Sequence, residues 1–435
     1  MRTRIKYSKS YISFNRISKQ KMKYLKLFAV LLTFSNTCYS QTASFDTLLN
    51  RGKAQFKIGL EKPDYNFAVN NLKKATNLNP ASAEAHYFLG YAYSRVNSSS
   101  AATIPKMKLS LVEQASSELE QVNTLTPLYT GQVVTLDPYS KITSEWGALA
   151  LSYMEKSTKK DNKKDSVKWA FKEGKTRGGF DDFILGINRA VLNYCNTNSI
   201  LIVSGDDYTF PLYYLQTIEK LRTDVTIVDI SMLNTAWYPK FIERTTTVKF
   251  GIKEPDLDTL DYKHWTDSTI TIPVGQTAKV FSWKLKPSYQ DHFIARGDRL
   301  FWGLLEENKF KRDVYLTKSV AADGQLSLND NLLSYPVVDK INANNEEPEP
   351  TNQYIAEVQR MVSTFKEVNP NSFDELVSID IIRTEIFDKI ENTHDKDPNG
   401  IGLLLVRLLT EDLSENDFPC YSEPIKKYLK YLAGN

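Results

Sequence analysis

Residues 198–244, NSILIVSGDDYTFPLYYLQTIEKLRTDVTIVDISMLNTAWYPKFIER, pass from an apolar tetrad through a Gly-Asp-Asp turn and a helical stretch to a second apolar run and another helical start. The tetrad 200–203 is continuous rather than alternating, which predicts a strand buried on both faces. Residues 225–230 give a second strand, and Leu212, Leu215, Ile218 and Leu221 between them recur at helical spacing. Strand, helix, strand, helix in that order predicts a parallel sheet with helices on its faces. Gly205 turns the chain at the carboxyl end of the first strand. Asp206, Asp207 and Thr209 stand where an oxygen could cap a helix beginning near Pro211, whose ring suits a first turn. Asp229 ends the second strand and Asn234 follows it. Ligands of open α/β sheets bind at that carboxyl edge, so the ligand-binding candidates are Asp206, Asp207, Thr209, Asp229 and Asn234.

The beginning of the chain sets an expectation of compartment. Residues 1–40 carry nine basic side chains and no acidic one, then an apolar run at 27–34 and small residues up to Ser40. That is the pattern of a signal peptide cleaved just before Gln41. Met22 offers a second start, and Cys38 an acylation site, although Ser35-Asn36-Thr37 departs from the lipoprotein pattern. The predicted location is the periplasm or cell envelope. Without those nine, the 55 basic residues fall to 46 against 52 acidic ones, a balance that disfavours nucleic acid as a partner. No later apolar stretch reaches the length of a membrane span; the densest, 401–409, is far too short. Cys195 and Cys420 are left, too few for a disulfide scaffold, though enough for one bridge.

Residues 44–180 repeat themselves. His86-x2-Leu89-Gly90-x2-Tyr93 and Trp146-x2-Leu149-Ala150-x2-Tyr153 share four spaced positions, and Gly52 marks a weaker earlier copy. Ala68, Ala75 and Pro80, then Ala115 and Pro127, then Trp169-Ala170 fall in the matching second helices. This resembles a tetratricopeptide array of about three repeats, whose small residues let paired helices approach closely. The resemblance implies a concave face that binds a protein or peptide partner or packs on a neighbouring domain, with the helix 182–194 as the expected seat.

Three blocks in the central stretch carry a second resemblance: Gly205-Asp206-Asp207-x-Thr209-Phe210-Pro211-Leu212-x-Tyr214-Leu215-Gln216, Arg222-Thr223-Asp224-Val225, and Leu233-Asn234-Thr235-x-Trp237-Tyr238. A fourth, 308–316 (NKFKRDVYL), is similar to a W-K-R-P-V-Y-F strand with Phe310 for Trp and Asp313 for Pro. Residues 195–340 thus resemble the soluble carboxyl-terminal region of a membrane-protein family common in Bacteroidetes. That family is of unknown function and is likened to protein O-mannosyltransferases. Its membrane-embedded part has no counterpart here, so the resemblance does not carry transferase activity over.

Between the blocks, 247–250, 269–272 and 279–283 alternate apolar with polar residues and predict an antiparallel insertion or edge strands. Residues 291–308 predict a helix whose Arg296-Gly297-Asp298 triplet is a chance adhesion motif. The expected architecture is α plus α/β: leader 1–40, tetratricopeptide-like helices 44–180, a Rossmann-like unit 181–341 with a mainly parallel sheet and a β insertion, an acidic linker 342–352, and a helical region 353–435.

The chemistry has two readings. The three aspartates could hold a cation or act as acid and base, or they could be helix caps and a strand end, which is commoner. His86, His264, His292 and His394 lack ligand spacing, and there is no nucleophile elbow, dinucleotide fingerprint or phosphate loop. No cofactor and no metal is expected. The favoured reading is an exported interaction scaffold without catalysis, its α/β unit in a ligand-binding role; the alternative is an enzyme acting on an envelope glycan through the acidic edge.

Overall fold

A computed structural model describes residues 43–57, 59–126, 138–157, 163–180, 182–335 and 337–347. The leader with Cys38 and Gln41, the helical region 353–435 with Cys420, and most of the linker lie outside the described residues. Six helices come first: α1 (Phe45–Lys53), α2 (Tyr65–Leu78), α3 (Ala83–Asn97), α4 (Leu109–Leu125), α5 (Pro138–Lys156) and α6 (Lys164–Thr176). Ser44, Asp64 and Ser82 cap α1, α2 and α3, each accepting a bond from a first-turn amide.

Small residues fix the pairing as their spacing predicts. A Cβ on Gly52 would lie 2.4 Å from Leu72 Cγ, and one on Gly90 would lie 2.9 Å from Leu119 Cγ, so α1 meets α2 and α3 meets α4 closely. Trp146, Leu149 and Ala150 are fully buried. The Trp146 indole donates to Ser116 Oγ at 2.7 Å and meets Trp169 edge-on at 5.7 Å. His86 replaces Trp in the earlier copy; its ring nitrogens contact Glu118 and the Pro80 carbonyl, and the bond to Glu118 raises its pKa.

The second half follows α7 (Asp182–Tyr194): β1 (Ile200–Val203), α8 (Asp206–Tyr214), β2 (Thr226–Asp229), α9 (Tyr238–Thr245), α10 (Glu254–Thr259), β3 (Lys263–His264), β4 (Ser268–Pro273), β5 (Val280–Leu285), β6 (Phe293–Ile294), α11 (Arg296–Asn308), β7 (Val314–Thr317), β8 (Leu332–Ser334) and β9 (Val338–Ile341). The main sheet has the order β2-β1-β7-β9-β8. It is mixed rather than mainly parallel: β1 runs parallel to β2 and β7, while β9 is antiparallel to β7 and β8. The tight return after β8 reverses the chain in a few residues, which only an antiparallel pair permits. Arg312 fastens the amino ends of the strands, donating to the carbonyls of Asn198 (2.6 Å) and Ser199 (2.8 Å) and to Thr226 Oγ1 (2.6 Å). Arg222 does the same for the end of α7, reaching the carbonyls of Leu192, Cys195 and Asn196.

Four local expectations change. Residues 247–250 form no strand, whereas β4 and β5 make the antiparallel hairpin. The helix expected at 291–308 begins only at Arg296, because Phe293 and Ile294 pair with β3. The start of the linker is tied down: Asn342 and Glu346 exchange backbone and side-chain bonds, and the Glu346 carboxylate receives Lys340 Nζ at 2.8 Å. The last change concerns α8, which begins at Asp206, so that Pro211 lies in its interior rather than its first turn. Pro211 has no amide to give the Asp207 carbonyl. Asn188 of α7 supplies the missing bond from its side chain at 2.9 Å.

The two halves share one continuous core. The repeats dock through α5, which is buried without interruption from Ile142 to Ser152, and the seat is α8, not the expected 182–194. A Cβ on Gly147 would lie 2.3 Å from Phe210 Cγ, so α5 needs glycine there to let the α8 phenyl ring lie against its backbone. Burying a ring of that size stabilises by about 2 to 3 kcal/mol. Phe180 stacks on Tyr214 with centroids 5.0 Å apart, and Phe171 meets both edge-on. The segment after α3 closes another side: Trp237 Nε1 donates to the Ala101 carbonyl at 2.9 Å.

Candidate functional site

The five nominated residues flank the carboxyl edge of β1 and β2 without gathering around an opening. Asp229 is only 2% exposed. Its Oδ2 receives the Thr209 hydroxyl at 2.5 Å and its Oδ1 the Met232 amide at 2.8 Å. Burial raises its pKa to about 6, with the charge on Asp206 adding to the rise and the Thr209 and Met232 bonds opposing it. The Asp229 amide donates to the Tyr238 hydroxyl at 3.0 Å, and that hydroxyl sits 3.1 Å from the Tyr213 hydroxyl. Burial lifts both phenols above their ordinary range. The network is a buried polar strut between α8, β2 and α9.

Asp206 accepts a short hydrogen bond from Ser144 of α5, so it joins the repeats to the sheet. Neither it nor Asp207 caps α8: the cap position is Gly205, at φ +98°, whose carbonyl receives the Thr209 amide. A left-handed φ suits glycine there, and glycine has no oxygen to offer. Thr209 lies within α8 and is spent on Asp229. Asn234 is exposed, yet its Oδ1 accepts the Gly297 amide at 2.8 Å, so it caps the start of α11 from a distance. The Arg296-Gly297-Asp298 triplet is buried: the Arg296 guanidinium binds the carbonyls of Leu233, Leu260 and Thr235, and Asp298 holds Ser288 and the Ala295 amide. Cys195 is a free buried thiol whose pKa burial pushes up to about 12.

The local pattern led to this edge, but not to Ser144 or Gly147, which lie sixty residues or so away on a repeat helix. Their only signal was the small-residue pattern of α5 outside the repeat seam. A cleft of 830 Å³ lies elsewhere, between the ends of α5 and α6, the outer edge of β2 and α9, and two others measure 450 and 340 Å³. None of the five candidates lines it or the two smaller ones. Among the described residues no three His, Cys, Asp or Glu side chains gather as a metal site would need, and no helix is long and apolar enough to cross a membrane.

Against this geometry the comparisons with known proteins are specific in two places. Residues 185–272 match the family model described as TMEM260-associated domain 2, a span from α7 to β4 that holds every candidate residue. Residues 61–97 match a TPR repeat, the stretch of α2 and α3. No curated protein and no solved structure matches the chain. The chain therefore carries a TPR repeat together with a TMEM260-associated domain.

Proposed function

We propose that this chain is an exported, non-catalytic protein of the cell envelope, with its tetratricopeptide array as a protein-interaction scaffold and its α/β unit in a ligand-binding role. The observation that carries the reading is the fate of the acidic edge. Asp206 is bonded to Ser144, Asp229 is buried among its own partners, and Asn234 caps a helix. An acid–base pair must reach a reacting atom, and these groups are engaged by separate neighbours within the fold instead. The face of α5 that a partner might have used is filled by α8, so the partner surface moves to the outer end of the array. There Phe67, Lys74 and Leu78 follow one face of α2, with Phe67 43% and Leu78 57% exposed.

The test has two parts. Protein recovered from fractionated envelopes is expected to begin within a few residues of Gln41; full-length protein in the cytoplasm would contradict export. In-cell cross-linking of the parent chain is expected to recover one protein whose yield collapses in the Phe67→Glu, Leu78→Glu variant. Equal recovery in both would contradict the scaffold surface. Release of sugar from an envelope glycan by the parent, lost in Asp206→Asn, would replace this reading with an enzyme.

A further inference from the structure

His86 occupies the first position of its repeat pattern, where the later copy has Trp146. The Trp146 indole is held by a neutral bond to Ser116, and an indole N–H donates at any ordinary pH. His86 is held differently. Its Nδ1 lies 2.6 Å from Glu118 Oε2 on α4, and its Nε2 lies 3.0 Å from the Pro80 carbonyl oxygen in the turn between α2 and α3. Both partners are acceptors. A neutral imidazole has one N–H and would leave its other nitrogen lone pair against an oxygen, whereas the imidazolium donates to both. The arrangement therefore selects the cation, and its bond to a carboxylate is of the stronger, charge-assisted kind.

The surroundings agree with that assignment. The Glu118 bond is the largest influence on His86 and raises its pKa; burial opposes the rise and the Pro80 carbonyl adds to it. The two side chains are only 12% and 23% exposed, so the pair escapes much of the screening that weakens surface ions. Of the charged groups on the elements packed around α3, Glu118 is the one that acts on the ring. Lys53 of α1 is spent on Glu84 and Glu120 of α4 on Arg177, while Lys73 and Lys74 of α2 stand exposed.

Position gives this cation a use. One ring ties together the turn that ends the first repeat, α3 and α4. In a repeat array each unit is held by its neighbours, so weakening one interface near an end frees the end unit rather than the whole. We propose that His86 is a proton-operated clamp at the joint between the first two repeats, locking the α2–α3 turn to α4 while it is a cation and letting the α1–α2 hairpin loosen when it loses its proton. A group held more tightly when protonated stabilises fully below its unfolded value, near 6.5 for histidine, and that contribution is lost as pH rises through its folded value. The joint is thus closed in mildly acidic surroundings and opens in alkaline ones, the range in which histidine serves as a switch. The pose of the outer face of α2, with Phe67 and Leu78, follows the proton. The clamp goes beyond the partner reading of that face and does not rest on it.

Magnetic resonance of the full chain, labelled with carbon-13 at histidine Cε1, tests it, because the sequence has only four such rings to follow. The His86 signal is the one missing from His86→Gln. Should that variant not fold, it is the one that moves in Glu118→Gln, where an acceptor stays and the charge goes. Its midpoint is expected above the ordinary value of about 6.5 in the parent and closer to that value in Glu118→Gln. Hydrogen exchange reads the joint itself. From about pH 6 to about pH 8.5, protection of the amides at 81–86 is expected to drop about tenfold, as one unit of midpoint shift would give, while protection at 146–150 in α5 holds. Glu118→Gln is expected to show the lower protection already at the acidic end. A parent midpoint at or below the ordinary value, or protection at 81–86 that ignores pH, would overturn the clamp. An equal drop in α5 would overturn it too, since the whole chain and not the joint would then be opening.

Discussion

Asp229 shows how one side chain can be misjudged from its position alone. At the end of a strand it looked available, but folding surrounds it, and the free energy of holding its charge there is measurable. The folded chain keeps its proton up to about pH 6, whereas an unfolded aspartate loses it near 3.9. Between those values the folded state binds more protons, so its contribution to stability falls as pH rises from about 4 to 6 and then levels off. The shift corresponds to about 3 kcal/mol. Asp229→Asn is expected to remove that fall; chemical denaturation of parent and variant at pH 4 and pH 7 reads it, and identical pH profiles would contradict the burial. Asn188 is the second case. It occupies the carbonyl that Pro211 leaves open, so Asn188→Ala is expected to cost about 1 to 3 kcal/mol by orphaning buried groups. In a Pro211→Ala background the cost should shrink, since the helix then supplies its own amide. An unchanged cost across this double-mutant cycle would show that the two are not coupled.

At the scale of elements, much of the fold was legible because local periodicity and tertiary packing agree. The repeat register came from four spaced positions, and Trp146 is buried where they placed it. Trp146→Ala should cost about 3 to 5 kcal/mol through the lost ring and the cavity left behind, and an unchanged melt would contradict the register. β1 and β2 came from continuous apolar runs. What failed is equally physical. Pro211 read as a first turn because a proline in a helix interior is penalised, and the compensating Asn188 lies on another helix where no local pattern shows it. The strands β8 and β9 are three and four residues long, too short for alternation to speak, so the mixed sheet was out of reach. The acidic edge was nominated from local pattern, whereas the bond that ties Asp206 to Ser144 depends on a contact between residues 62 positions apart.

For the whole molecule, the join between α5 and α8 decides what kind of protein this is. A repeat array that keeps its inner face open is a separable adaptor; here the part of that face on α5 is buried against the chain's own α/β unit. Gly147 is the place to disturb it. Any Cβ would meet Phe210 at its ring base rather than at a movable tip, so Gly147→Val is expected to destabilise by about 1 to 3 kcal/mol, and Phe210→Ala in the same chain should recover part of the loss. Native-state hydrogen exchange reads the join most directly, because it resolves which segments open together. If the halves are one cooperative unit, the slowest amides of α5, α8 and β1 share one opening free energy, and Gly147→Val lowers all three alike. If instead α1 to α6 open at a lower free energy of their own, and the variant leaves β1 and β2 untouched, the repeats are an independent adaptor and the join is not what holds this protein together.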